Sequence, residues 1–111
     1  MAEEKTAGLV QREGMILENI TTWDMTILRE EFLRSLPAAV GHVPYQTSGN
    51  QFQFEAAGRC WRITLEPLTD LRIGLLRLPR HRVSFSFSGY SDEEIAAFMA
   101  RCELYFRRGG G

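Results

Sequence analysis

From residue 51 onward the chain alternates with a period of two. Phe52 and Phe54 fall on one side, with Gln51, Gln53 and Glu55 on the other. The same rhythm sets Trp61, Ile63 and Leu65 against Cys60, Arg62, Thr64 and Glu66. It sets Val83, Phe85 and Phe87 against Ser84, Ser86 and Ser88. Strands with one buried face read this way, because successive side chains point to opposite sides of a pleated sheet. Ala57-Gly58 supplies a tight turn, and residues 67–70 and 79–81 are expected turns as well. Between those two turns the parity slips. Ile73 and Leu75 share one side of residues 71–78, whereas Leu76 and Leu78 lie on the other. A bulge just after Gly74 would repair this, with Ile73, Leu76 and Leu78 inward and Arg72 and Arg77 outward. Four consecutive short strands joined by short turns predict an antiparallel meander.

Two helical patterns flank it. Over residues 22–36, Trp23, Ile27 and the series Leu28, Phe32, Leu36 recur at spacings of three and four. Thr21 or Thr22 can cap that segment, and Pro37 is expected to end it by forcing Leu36 out of the α region. Near the C-terminus, Ser91 and Glu94 form a capping box, with Tyr90 placed to staple onto Ile95. Ile95, Phe98, Met99, Cys102 and Phe106 then make one apolar stripe, and Gly109 suits the position just past the helix end. A short strand is expected around Met15-Ile16-Leu17 and another near residues 43–46. Each helix and the sheet have a single apolar face. The predicted fold is therefore α+β: a two-layer sandwich, a four-stranded antiparallel meander with an N-terminal and a C-terminal helix packed on one face, with room for an added N-terminal strand. Residues 1–8 are expected to be disordered, 9–108 to form one domain, and 109–111 to be a glycine tail.

Composition narrows the classes. With 44% hydrophobic and 24% charged residues in 111, the chain is expected to be a single soluble domain with its own core. Two cysteines are too few for a disulfide framework. The first residues lack the basic and apolar regions of a signal peptide, and no apolar run approaches the roughly 20 residues a membrane span needs. The expectation is a cytoplasmic protein without membrane association. Neither a C-x-x-C nor an H-E-x-x-H spacing occurs, and no phosphate loop or dinucleotide fingerprint is present. No metal or cofactor is expected.

Charge is the one feature that points at a partner. Lys5 is the sole lysine, and six of the twelve arginines lie between Arg59 and Arg82. Only Glu66 and Asp70 oppose them there, so that window carries a formal +4 while the rest of the chain carries −5. Guanidinium groups grip carboxylates and phosphates as forks. The net charge of −1 counts against nucleic acid as the partner. On the predicted register Arg62, Arg72, Arg77 and Arg82 project from the helix-free face. The first functional expectation is thus a non-catalytic interaction module of bacterial type. Its arginine-rich sheet face would meet an acidic protein surface, or a second copy with Glu55 and Glu66 opposite the arginines. The alternative is a small enzyme or carrier for an anionic metabolite. There Arg80-His81-Arg82, at the expected turn after Pro79, would clamp the anion, with His81 or Cys60 as the reactive group.

Overall fold

The edges of the main sheet are set by where its strands stop. The computed structural model describes residues 11–12, 15–16 and 18–110. Gln11–Arg12 (β1) and Met15–Ile16 (β2) pair as a small antiparallel ribbon. β2 falls where the sequence predicts a short strand; Leu17 and residues 1–8 lie outside the described residues. Five further strands form the main sheet: Glu18–Met25 (β3), Gln46–Ser48 (β4), Gln51–Ala56 (β5), Arg59–Ile73 (β6) and Leu76–Ser88 (β7). Their order is β3-β7-β6-β5-β4, antiparallel throughout. Two helices, Arg29–Ala39 (α1) and Asp92–Gly110 (α2), complete the fold. The architecture is α+β, as predicted, but with five strands rather than four. The chain enters at one edge in β3, crosses through α1 to the far edge at β4, and returns by the meander β4–β7 to pair with β3.

Boundaries differ from the sequence pattern in several places. The first concerns residues 22–25, predicted as the start of a helix but found in β3. Trp23 faces Phe85 edge-on at 4.9 Å while Asp24 points away, so these residues alternate with a period of two. Thr21 and Thr22 are accordingly not caps. Leu28 holds the N-cap position without a side-chain bond, and Glu30 and Glu31 offer their charge to the first turn. The second concerns Pro37, which lies inside the last turn of α1. The helix absorbs it and ends only at Val40, just before Gly41 and His42, both at positive φ. The third is the meander itself. Residues 71–78 are not a separate strand with a bulge. Gly74-Leu75 is the two-residue turn of one long hairpin, pairing Ile73 with Leu76, Arg72 with Arg77 and Leu71 with Leu78. Gly74, at φ +60, supplies the positive φ that such a turn demands at its first central position. The expected turn at 67–70 is instead a bulge between Leu68 and Leu71, and β7 runs unbroken through Pro79–His81. Proline is tolerated in a strand where a bulge interrupts the ladder, and Pro79 lies opposite this one.

The C-terminal helix starts as its sequence dictates. The Ser91 amide donates to Glu94 Oε1 at 2.8 Å and the Glu94 amide donates to Ser91 Oγ at 3.1 Å. That bond to the Ser91 amide, chiefly, holds the Glu94 carboxyl below its ordinary value. The helix continues to Gly110, so Gly109 lies within it rather than past its end. α1 and α2 run antiparallel: Phe32 stacks on Phe106 at 4.7 Å, while Arg101 Nε donates to the Ala38 carbonyl at 2.8 Å. Both sit on the face formed by Phe52, Trp61, Ile63, Leu65, Val83, Phe85 and Phe87, all buried. Phe98 wedges between Trp61 (5.6 Å) and Phe87 (5.2 Å). At the opposite end from the hairpin tip, Gly89 passes so close to the β5–β6 turn that a Cβ there would stand 2.3 Å from the Gly58 carbonyl.

Phe32 joins both helices to the sheet, since it also lies 5.8 Å from Phe52. Phe32→Ala is expected to cost about 3–5 kcal/mol in urea denaturation through lost burial and a cavity. Leu75→Ser, at the tip of the hairpin, should change stability by no more than about 0.5 kcal/mol.

Candidate functional site

The arginines predicted to share one face separate into three environments. Arg62 is the first, and its placement corrects the exposed-face reading. It does alternate away from the helices, yet only 7% of it is exposed. Its Nε and Nη2 both donate to Gln53 Oε1, at 3.0 and 2.7 Å, across the β5–β6 ladder. Cys60, two residues earlier on the same side, is buried too. Parity along a strand reports direction and not what lies over it, so this burial had no signal in the sequence.

The second environment is an ion-pair cluster on Asp24. Arg82 forks that carboxylate, Nε to Oδ1 at 2.8 Å and Nη2 to Oδ2 at 3.2 Å, joining β7 to the edge strand β3. Arg80 Nη2 stands 3.9 Å from Oδ2, and its Nη1 donates to the Thr69 carbonyl at 3.4 Å. The hydrogen bond from Arg82, followed by the charges of Arg82 and Arg80, holds the Asp24 carboxyl below its ordinary value, and the same bond raises Arg82. His81, between these two arginines, faces the other way. It is 9% exposed, and its Nδ1–H donates to the Ile27 carbonyl at 2.8 Å. A carbonyl can only accept, so the proton must sit on Nδ1. The histidine ties β7 to the segment that leads into α1.

Arg80-His81-Arg82 therefore does not converge on a common cavity. Cys60 and His81 are not brought together either. Cys60 is opposite Ser88 and His81 opposite Pro67, seven residues apart along β6 or about 23 Å. Cys102, on the buried stripe of α2, has its thiol pushed up to about 12 by burial, which removes the thiolate a nucleophile needs. Among the described residues no three metal-ligating side chains cluster, and no helix is long and apolar enough to cross a membrane.

The third environment is the hairpin beyond the sheet. β5 pairs with β6 only as far as Thr64, and β3 pairs with β7 only as far as His81. Past that point β6 and β7 pair, among the described residues, only with each other, and they continue to the Gly74-Leu75 turn. The result is a two-stranded arm reaching roughly 20 Å past the Leu68–Arg80 pair. Facing pairs share a side of a ribbon, so Leu71, Leu78, Ile73 and Leu76 form an aliphatic face and Arg72 and Arg77 lie on the other side. Ile73 is 55% and Leu76 61% exposed, and Leu75 at the turn is wholly exposed. Arg72 and Arg77 are direct cross-strand neighbours, an arrangement of like charges that opposes pairing. Asp70, 3.9 Å from Arg77, gives partial relief, whereas Arg72 forms no ion pair among the described residues. Arg72, Gly74, Leu75, Leu76 and Arg77 line a shallow hollow of about 130 Å³.

The sequence pattern groups Ile73, Leu76 and Leu78 on one side and Arg72 and Arg77 on the other, as found, but places the aliphatic side in the core rather than in water; the hairpin itself does carry a signal. Leu71-Arg72-Ile73 and Leu76-Arg77-Leu78 mirror one another about Gly74-Leu75, which is the pattern of a hairpin with glycine first in its turn. The chain matches no protein-family model, no curated protein and no solved structure.

Two tests separate these environments. Arg62→Glu should destabilise by about 2–4 kcal/mol, since it buries a carboxylate where a forked guanidinium stood. Arg77→Glu should leave the melting temperature within about 2 °C of wild type. The second test is of Asp24→Asn. The Asp24 carboxyl titrates below 3.8 in the folded state, so its contribution is present above that pH and is lost as pH falls through the lowered value. The variant should melt below wild type at neutral pH, and the two curves should converge in acid. A gap that persists at pH 2 would show that the ion pair is not its source.

Proposed function

We propose that the protein is a non-catalytic interaction module of bacterial type, and that its contact element is the β6–β7 arm rather than the broad sheet face. The observation that carries this reading is the exposed aliphatic face of the arm combined with two arginines set directly against each other. A two-stranded ribbon without a covering layer is marginal in water, and it becomes stable when its apolar face packs on something. Like charges in register favour a partner that brings carboxylates. Together these features fit an acidic protein surface with apolar side chains between its acids. The reading as an enzyme or anion carrier has weaker support, because Arg80 and Arg82 are already engaged by Asp24 and His81 faces the core.

The test is a titration of isotope-labelled protein with a peptide of alternating glutamate and leucine. Amide shifts are expected at residues 71–78 and should weaken at least tenfold as salt rises from about 50 to 300 mM. The double variant R72E/R77E should lose them. Shifts confined to the Asp24–Arg82 cluster, or none at millimolar peptide, would overturn the assignment.

A further inference from the structure

The arm's requirements are met by a surface on this same molecule, and the inference that follows rests on the arm being the contact element. The arm springs from the end of the body where α1 begins, since His81 in β7 bonds the Ile27 carbonyl just ahead of that helix. At this end Leu28, the N-cap residue, is 43% exposed, and Glu30 and Glu31 follow in the first turn. Neither glutamate forms an ion pair among the described residues. The last turns of α2 reach the same end, because Phe106 stacks on Phe32, one turn into α1. They bring the exposed Leu104 and Tyr105 to this part of the helix layer. Arg101 lies over the Tyr105 ring and Arg107 pairs with Glu103, so these cations are engaged; the exposed Leu28 beside Glu30 and Glu31 thus stands near the root of an aliphatic ribbon edged with arginine.

We propose that the arm's partner is a second copy of this chain, joined by reciprocal arm exchange about a two-fold axis. Each arm crosses to the other protomer and lays its aliphatic face on the helix end marked by Leu28 and Leu104. The stems of Arg72 and Arg77 bend around a ribbon only two strands wide and carry their guanidinium groups to Glu30 and Glu31. Symmetry supplies the area. One ribbon on one helix end falls short of the approximately 1,200 Å² that a stable interface buries, and an isologous pair makes that contact twice. The arm's open edges do not lead to indefinite strand addition. Pro67 and Pro79 lack amide donors, the bulge at Leu68–Leu71 twists the ladder, and the arginines repel a third strand.

The experiment is light-scattering mass on the full chain and on two variants. Wild type is expected at the dimer mass, shifting toward the monomer as salt rises. R72E/R77E has an acidic arm and an acidic helix end, and E30R/E31R has a basic arm and a basic helix end, so each alone should be a monomer. Mixed in equal amounts they should regain the dimer mass, because both reciprocal contacts are then complementary. Melting temperatures within a few degrees of wild type establish that any monomer is folded. A wild type that is monomeric up to several hundred micromolar overturns the second copy, as does a dimer indifferent to all four substitutions or a mixture that stays monomeric. If that monomer still shows glutamate–leucine peptide shifts on residues 71–78, the arm remains a docking element for another protein. Cosedimentation of the monomer with phosphatidylserine vesicles would point instead to a lipid surface and would likewise overturn the dimer.

Discussion

The ladder between β6 and β7 organises everything else in this molecule. Its inner half is the centre of the sheet, flanked by β5 on one side and β3 on the other, and it carries Trp61, Phe85 and Phe87 of the aromatic face that the helices cover. Among the described residues its outer half has no flanking strand, and residues 71–77 are exposed. At 15 and 13 residues the two strands are far longer than the five or six usual for a globular domain. The excess length is what converts a closed two-layer sandwich into a body with an arm. Burial follows the same division: Leu65 and Val83 are fully covered, whereas Ile73 and Leu76, eight and seven residues further along their strands, are largely in water.

Where sequence and structure agree, the signals are local. The Ser91–Glu94 box needs only one turn of helix, and the Ala57-Gly58 turn needs only two residues at positive φ. The alternation of Phe52, Trp61, Ile63, Val83, Phe85 and Phe87 reports one buried face whichever strands are neighbours. The disagreements arise where two periods fit the same residues. Trp23 and Ile27 are four apart, as on a helix face. Trp23 is nevertheless a strand residue packed on Phe85, and Ile27 is a linker residue buried beside His81. Tertiary pairing with β7 decided between the two. The prolines misled for a related reason. Pro67 and Pro79 look like turn markers, but a bulge lets a continuous hairpin carry both.

The arginine strip shows how far charge can be read from composition. Counting found the cluster and alternation found its side, but neither could rank the members. Arg62 serves the sheet, sequestered on Gln53. Arg82 and Arg80 serve the edge, holding β3 through Asp24, a residue whose importance depends on a pairing 58 positions away. What remains is Arg72 and Arg77, and they are distinguished by lying where, among the described residues, β6 and β7 pair only with each other. The proposed contact uses these two, of which Arg77 has Asp70 at 3.9 Å and Arg72 has no ion pair among the described residues.

Two independent costs meet at that place. The ribbon exposes four aliphatic side chains that gain by leaving water, and it opposes two cations that gain by meeting an anion. A purely apolar partner would relieve the first cost and aggravate the second, because it would strip water from the guanidinium groups without replacing it. A purely anionic ligand would relieve the second and leave the leucines exposed. A surface that interleaves carboxylates with aliphatic side chains answers both. The start of α1, where the exposed Leu28 is followed by Glu30 and Glu31, is a surface of that kind, which is the ground for proposing a second copy as the partner.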